Sequence, residues 1–362
     1  MMRIVFAIPT WNRCEQLNIT VRLLVKEIML SGIDAFIVIS NNCSDDSTES
    51  VIEDLENEFD FISSTKLNYK VQAVINMHNV LSLALEIASS NDYIWMFGDD
   101  DDLNDNILHR VNEIIQAQQP FFLSAGNTRL GPHTNKNYLA GMTDLTQKFS
   151  FFLTSSFISQ CIFSHELARE IVDKNFISEK FLNDPYAHAT SILYLGHNKK
   201  CIYIDSPICT YRIYQKQSED TRVRWSTENV YLNLFNFINS LELLIEDKIL
   251  PSKLEASFFR YWNFHFWDFL LYEATVMALQ NPSSINGEHW NKLSKLCGFL
   301  KDRELAKRLE ININLQRMIL SHGVKPELIM NLTNKYTFWG GAVYDLPLVT
   351  HDLLLSLQSK NS

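Results

Sequence analysis

The chain has 362 residues, 46% of them hydrophobic and 20% charged, the balance of a folded protein and not of a disordered one. Its 32 Lys and Arg face 42 Asp and Glu, and the formal net charge of −10 argues against wholesale nucleic-acid binding. Cys14, Cys43, Cys161, Cys201, Cys209 and Cys297 form no C-x-x-C pair, which argues against a zinc site or disulfide framework and suits reduced thiols in the cytoplasm.

This length allows one large domain or two. The first apolar run, Ile4–Ile8, is too short for a signal peptide and stops at Pro9. The longest greasy helix candidate, Asn263–Leu279, is interrupted by His265, Asp268 and Glu273. No segment therefore reaches the ~18 uncharged residues that a membrane span requires. Peripheral contact with the inner face of the plasma membrane stays open; a crossing does not.

Residues 3–125 alternate between strand and helix periods. Ile4–Ile8 is a strand, and Leu17, Val21, Leu24, Val25 and Ile28 form a helical stripe closed by Gly32. Ala35–Ser40 is a second buried strand. Asp46 with Glu49 makes a capping-box-like start for a helix carrying Val51, Ile52, Leu55 and Phe59. Phe61–Thr65 is a weaker strand, Val80 to Ile87 a third helix, Tyr93–Phe97 a strand, Ile107 to Ile115 a helix and Phe121–Ala125 a strand. The alternation predicts an α/β fold, a mostly parallel sheet with helices on both faces.

Residues 126–146 read as a long irregular loop. Phe149–Phe163 and Ile202–Tyr211 read as strands around a helix near Pro185–Leu195. Lys199–Arg224 holds six Lys and Arg against three acids, a local reversal of the global sign. From Trp225 the pattern turns purely helical: a stripe through Leu232, Phe235, Ile238, Leu241, Leu244 and Ile245, a buried aromatic helix over Phe258–Leu279, and shorter helices at Trp290–Leu300 and Leu305–Leu320. Two domains are expected, 1–224 around the sheet and 225–362 helical. The second is expected to serve packing, ligand binding or homo-oligomerisation.

Ligands bind parallel sheets at the carboxyl ends of the strands. Those ends read Pro9-Thr10-Trp11-Asn12-Arg13, then Asn41-Asn42-Cys43-Ser44-Asp45-Asp46, then Gly98 followed by Asp99, Asp100, Asp101 and Asp102. Four like charges after a buried strand resist desolvation unless a cation lies among them. Hard oxygen ligands suit Mg2+ or Mn2+, which also hold substrate phosphate. The alternative is a solvated acidic turn that caps the next helix.

These clusters, with an Asn-containing helix leading into D-Y-I-W-M-F-G-D-D-D and a late P-I-C-T-Y-R, resemble the family 2 inverting glycosyltransferases of GT-A fold. The likeness is strongest to the bacterial branch that adds sugars to surface polysaccharides, abequosyltransferase-like proteins among them. It covers about residues 3–215. It implies that Pro9, Thr10, Asn12 and Arg13 lie beside a nucleotide and that Asp99 and Asp101 are the metal-binding ends of a DxD motif, with Asp100 between them. It also implies a nucleotide-sugar donor and a saccharide or lipid-linked saccharide acceptor. The family usually has Asp, which commonly contacts the base, where this chain has Asn41. An amide both donates and accepts, so the base is not fixed as uracil.

Transfer from a nucleotide diphosphate must neutralise the leaving group and deprotonate an acceptor hydroxyl. Arg212 is a candidate second charge on the diphosphate, or an ordinary surface arginine. Asp184 and His188 are candidates for the base, with Asp144 a weaker one. Asp184 before Pro185 equally suits a helix cap, and His188 a structural histidine. Two other classes compete. A Mg-dependent nucleotidyltransferase would usually show a Gly-rich or Lys-containing phosphate loop near the first strand, and none is present. A silent sugar-binding scaffold fits Asn41 but not four intact aspartates.

Overall fold

The computed structural model describes residues 2–127, 134–211, 227–261, 264–265, 287–307, 309–310 and 313–314. The chain divides into two compact units, Met1–Gln215 and Lys216–Ser362.

The first unit begins with β1 (Ile4–Thr10), α1 (Cys14–Ser31), β2 (Ala35–Asn41), α2 (Thr48–Glu58), β3 (Ile62–Lys66), α3 (Ala73–Ile87) and β4 (Tyr93–Met96). These are the predicted elements in the predicted order. The reason is local: continuous apolar strand runs alternate with stripes of helical period, and Gly32 ends α1 at φ 64°, where only a residue without Cβ is unstrained. There follow β5 (Asp101–Leu103), α4 (Ile107–Gln118), β6 (Phe122–Asn127), β7 (Asn137–Ala140), α5 (Met142–Phe149), α6 (Phe151–Ser155), β8 (Cys161–Ser164), α7 (His165–Asp173), α8 (Ala187–Gly196) and β9 (Cys201–Tyr211).

Strand order is β3-β2-β1-β4-β8-β6-β9-β5, with β7 also paired to β9. β3, β2, β1 and β4 are parallel. β8 runs antiparallel between β4 and β6, while β6 and β9 are parallel to each other. The sheet is therefore mixed, and the reversal of strand order falls between β1 and β4. Its core gathers Phe6, Trp95 and Phe97, with Phe6 stacked on Trp95 at 5.3 Å and Phe97 edge-on to both. Such aromatic pairs add about 0.5–1.5 kcal/mol beyond the area they bury.

Several expectations are corrected. Phe149–Phe163 is not a strand: it holds the end of α5, all of α6, a 3-10 turn at Ile158–Gln160, and only the first three residues of β8. The aromatic run favours strand, but hydroxyls override it. Ser150 accepts from Phe152 N and starts α6, and Thr154 and Ser155 donate back to the carbonyls of Ser150 and Phe151. Residues 126–146 carry β7 and the start of α5, with 128–133 outside the described residues. The helix expected from Pro185 starts at Ala187.

In the second unit, α9 (Thr227–Glu246) buries Phe237, Ile238, Leu241 and Leu244. A second helix, α10 (Gly287–Phe299), buries Trp290, Leu293, Leu296 and Cys297. Lys295 reaches Glu242 at 2.7 Å, tying the two helices together. The unit is not purely helical. Ala256–Phe259 is a 3-10 turn leading into a small antiparallel pair, β10 (Arg260–Tyr261) and β11 (Phe264–His265), where a buried helix was expected. The remainder of that predicted helix, 266–279, lies outside the described residues.

One close approach tests the packing of α5 on α8. A Cβ at Gly141 would stand 2.2 Å from the His197 carbonyl oxygen. Gly141→Ala should therefore cost about 1–3 kcal/mol in urea unfolding, as overpacking does. An unchanged urea midpoint would contradict this packing.

Candidate active site at the strand ends

The β1–β2 register sets Thr10 beside Asn41, and that of β1–β4 sets Ala7 beside Met96. The three polar clusters thus share one sheet edge. The β1–α1 turn is stitched to the β2–α2 loop. Asn12, at φ 50°, donates from its backbone to Ser44 Oγ (2.9 Å) and from Nδ2 to Asp45 Oδ1 (2.5 Å), and its Oδ1 accepts from Asp45 N (2.9 Å). Asn is among the few side chains that tolerate this backbone region, which explains it here. Arg13 N donates to Thr48 Oγ1 at 3.2 Å.

From this turn Arg13 reaches the acidic cluster. Its Nη1 lies 2.7 Å from Asp99 Oδ1 and 2.7 Å from Asp100 Oδ2. Thr10 Oγ1 donates to Asp99 Oδ2 at 2.7 Å, so both Asp99 oxygens are engaged. Thr20, on the buried face of α1, donates to the backbone oxygens of Asp99 (3.0 Å) and Asp101 (3.3 Å). Pro9 lies within β1, one residue before Thr10.

Asp101 faces a different partner. Ser159 Oγ donates to its carboxylate and accepts from Gly98 N at 2.7 Å. Burial first, then the charges of Asp100, Asp99 and Asp102, push the Asp101 carboxyl up to about 7, against the pull of Ser159. The carboxylates of Asp99, Asp100 and Asp101 gather hard oxygen donors at this strand end. That chemistry fits a divalent cation. Among the described residues no three His, Cys, Asp or Glu side chains group as a ready metal cage. A cation held by one or two carboxylates plus substrate phosphates needs no such cage, and Mg2+ is usually bound that way.

Asn41 is fully buried, its amide oxygen accepting from Ser44 N (3.0 Å) and its amide nitrogen donating to Glu49 Oε2 (2.5 Å). The expected capping box does not form: the N-cap of α2 is Ser47 without a side-chain cap bond, Asp46 Oδ1 accepts from Thr48 N, and Glu49 turns to Asn41.

Asp184 is buried just before α8, with Oδ1 accepting from Tyr186 N (2.8 Å) and Oδ2 from Thr190 Oγ1 (2.7 Å). The N-cap of α8 is Tyr186, which makes no side-chain cap bond; Asp184 instead holds the turn before the helix, and its two bonds fix the carboxylate's orientation. His188 is buried on α8, and among the described residues no hydrogen bond closes on either ring nitrogen. Burial pushes its imidazole down to about 4, with the Ser155 and Ser156 backbones opposing weakly, so it is neutral at pH 7. Asp144 is exposed in the first turn of α5. Arg212 lies outside the described residues. Thr20, Glu49 and Ser159 were not anticipated as parts of the site. Ser159 leaves no trace in sequence, because its partners lie 58 and 61 residues away.

Arg13→Met should destabilise the fold by about 1–3 kcal/mol, less than the loss of a fully buried pair because the guanidinium is 28% exposed. Adding Asp100→Asn should restore part of that stability in a double-mutant cycle. Additive losses would mean that the pairing carries no stability.

No family profile matches the chain. Over 122 residues it is 30% identical to abequosyltransferase RfbV of Salmonella typhimurium, an overlap of 34% of this chain and 35% of that relative. The chain thus matches about a third of that relative's length. Among solved structures, S. aureus TarS 1–349 in complex with UDP-GlcNAc aligns over 95% of both chains with a TM-score of 0.53 at 14% identity. A second structure of S. aureus TarS 1–349 aligns over 95% of both chains with a TM-score of 0.51 at 14% identity. The chain has the GT-A glycosyltransferase fold.

Proposed function

We propose that the protein is a metal-dependent, inverting glycosyltransferase of bacterial surface-polysaccharide synthesis. It would move a sugar from a nucleotide-diphosphate donor to a hydroxyl of a saccharide or lipid-linked saccharide. The observation that carries this reading is the strand-end cluster of Thr10, Arg13, Asp99, Asp100 and Asp101 on a GT-A sheet. The partial likeness to an abequosyltransferase and the UDP-GlcNAc complex of TarS support it.

Asp101 and Asp99, with Asp100 beside Arg13, would hold Mg2+ or Mn2+, which supplies Lewis-acid neutralisation of the diphosphate when bound. Arg13 adds a fixed guanidinium next to the same charge, and Thr20 and Ser159 hold the turn's backbone and Asp101 in place. Asp184 is the proposed general base. Its carboxylate is oriented by Tyr186 N and Thr190 Oγ1. His188, neutral and fully enclosed, is assigned to packing. No helix among the described residues is long and apolar enough to cross a membrane, so a lipid-linked acceptor would be met at the membrane surface. The second unit is proposed to bind acceptor or a second copy of the chain.

Incubation with a panel of nucleotide sugars and Mg2+ or Mn2+ should release one nucleoside diphosphate, and EDTA should abolish the release. Release of pyrophosphate instead would mark a nucleotidyltransferase, and no turnover with any donor and acceptor would favour a silent scaffold. Asp101→Asn should remove most turnover with the fold intact; wild-type turnover in that variant would remove the metal assignment. Asp184→Asn keeps the side chain's size and an oxygen that can accept from Tyr186 N. It should keep its thermal midpoint while losing on the order of 10²–10⁴-fold in transfer. Near-normal transfer would leave Asp184 as the holder of the turn before α8.

A further inference from the structure

Asn41 stands at the carboxyl end of β2, yet it offers a ligand nothing. It has no exposed surface, and its amide is committed to Ser44 N and to Glu49. The group that this arrangement presents is Glu49, in the first turn of α2. Its side chain is 35% exposed, Oε2 is fixed by Asn41, and Lys66 Nζ stands 3.7 Å from the same oxygen. Lys66 closes β3 and is in register with Asn41, so the carboxylate is held at the ends of β2 and β3. Oε1 makes no hydrogen bond among the described residues.

Strand topology says what would meet it. The sheet order reverses between β1 and β4, and ligands of open α/β sheets sit at such a reversal. On the proposed reading the diphosphate lies there, by Arg13 and Asp99–Asp101. Beyond β4 the neighbour β8 is antiparallel, so that edge presents its start and the 3-10 turn carrying Ser159. The other direction offers the carboxyl ends of β1, β2 and β3. A nucleoside attached to the diphosphate extends along that open side, over Asn12 and Asn41, toward Glu49.

Resting on that reading, we propose that Glu49 is the residue that selects the nucleobase, accepting the ring N–H of uracil, thymine or guanine. A carboxylate only accepts hydrogen bonds. It suits a ring nitrogen that donates and is repelled by the unprotonated ring nitrogen of cytosine or adenine. Asn41 is then a positioning residue, its amide orienting the acid from behind.

The test is calorimetric titration of the full chain with UDP, dTDP, GDP, CDP and ADP, each with Mg2+. Wild type should bind at least one of the first three at least about tenfold tighter than CDP or ADP, the scale of one good base contact. In Glu49→Gln the amide oxygen still accepts from Asn41, so the thermal midpoint should hold while that preference shrinks about tenfold or more. Glu49→Asp, which withdraws the charge by one methylene, should narrow the preference as well, even if the Gln variant folds poorly. An unchanged ranking in both variants overturns the inference but not the proposed function. So does a wild-type preference for CDP or ADP. A wild type that binds none of the five overturns both.

Discussion

The site depends on the Arg13 guanidinium, placed among carboxylates that one strand end delivers together. Arg13 Nη1 is 2.7 Å from an oxygen of Asp99 and 2.7 Å from one of Asp100. Two unit charges 4 Å apart repel by roughly 4 kcal/mol at the effective dielectric of a protein near its surface. A turn with four consecutive aspartates can fold against β1 only if that repulsion is met. The guanidinium meets part of it from the β1–α1 turn, and the hydroxyl of Thr10 helps from the strand itself. On the proposed reading, folding of this edge and binding of the diphosphate share the same residues.

The surroundings of Asp101 are equally informative. Asp101 is turned toward Ser159, enclosed, and raised by burial and by its neighbours' charges. An enclosed carboxylate in that state favours whatever brings positive charge, and a divalent cation carrying a diphosphate does so. On the proposed reading, the mixed sheet lets the ligand be met on one side only. Parallel strands β1 to β3 present carboxyl ends, while antiparallel β8 fills the far side of β4 with the turn that positions Ser159.

Much of this was legible in sequence. Apolar runs ending in Thr10, Asn41 and Asp99 announced parallel strands and put their polar ends on one edge. Pairings between distant segments were not legible. Arg13 could be placed beside a ligand, but its bond to Asp99, 86 residues on, follows only from the β1–β4 register. Asn41 read as a base-reading amide, whereas burial turns it inward to carry Glu49. The Phe149–Phe163 run misled because aromatic composition says strand while Ser150, Thr154 and Ser155 close local bonds that favour helix. Asp184 kept two readings, since a carboxylate just before a helix is placed equally well to hold the turn there and to take a proton.

The most direct test is where the ligand goes. Crystals of the full chain grown with Mn2+ and the tightest-binding nucleoside diphosphate should show an anomalous manganese peak. The account predicts that peak within coordinating distance of the Asp101 carboxylate and of both phosphates, with Arg13 beside the diphosphate and the base toward Glu49. Manganese and nucleotide bound elsewhere, with the Asp99–Asp101 turn untouched, would contradict it.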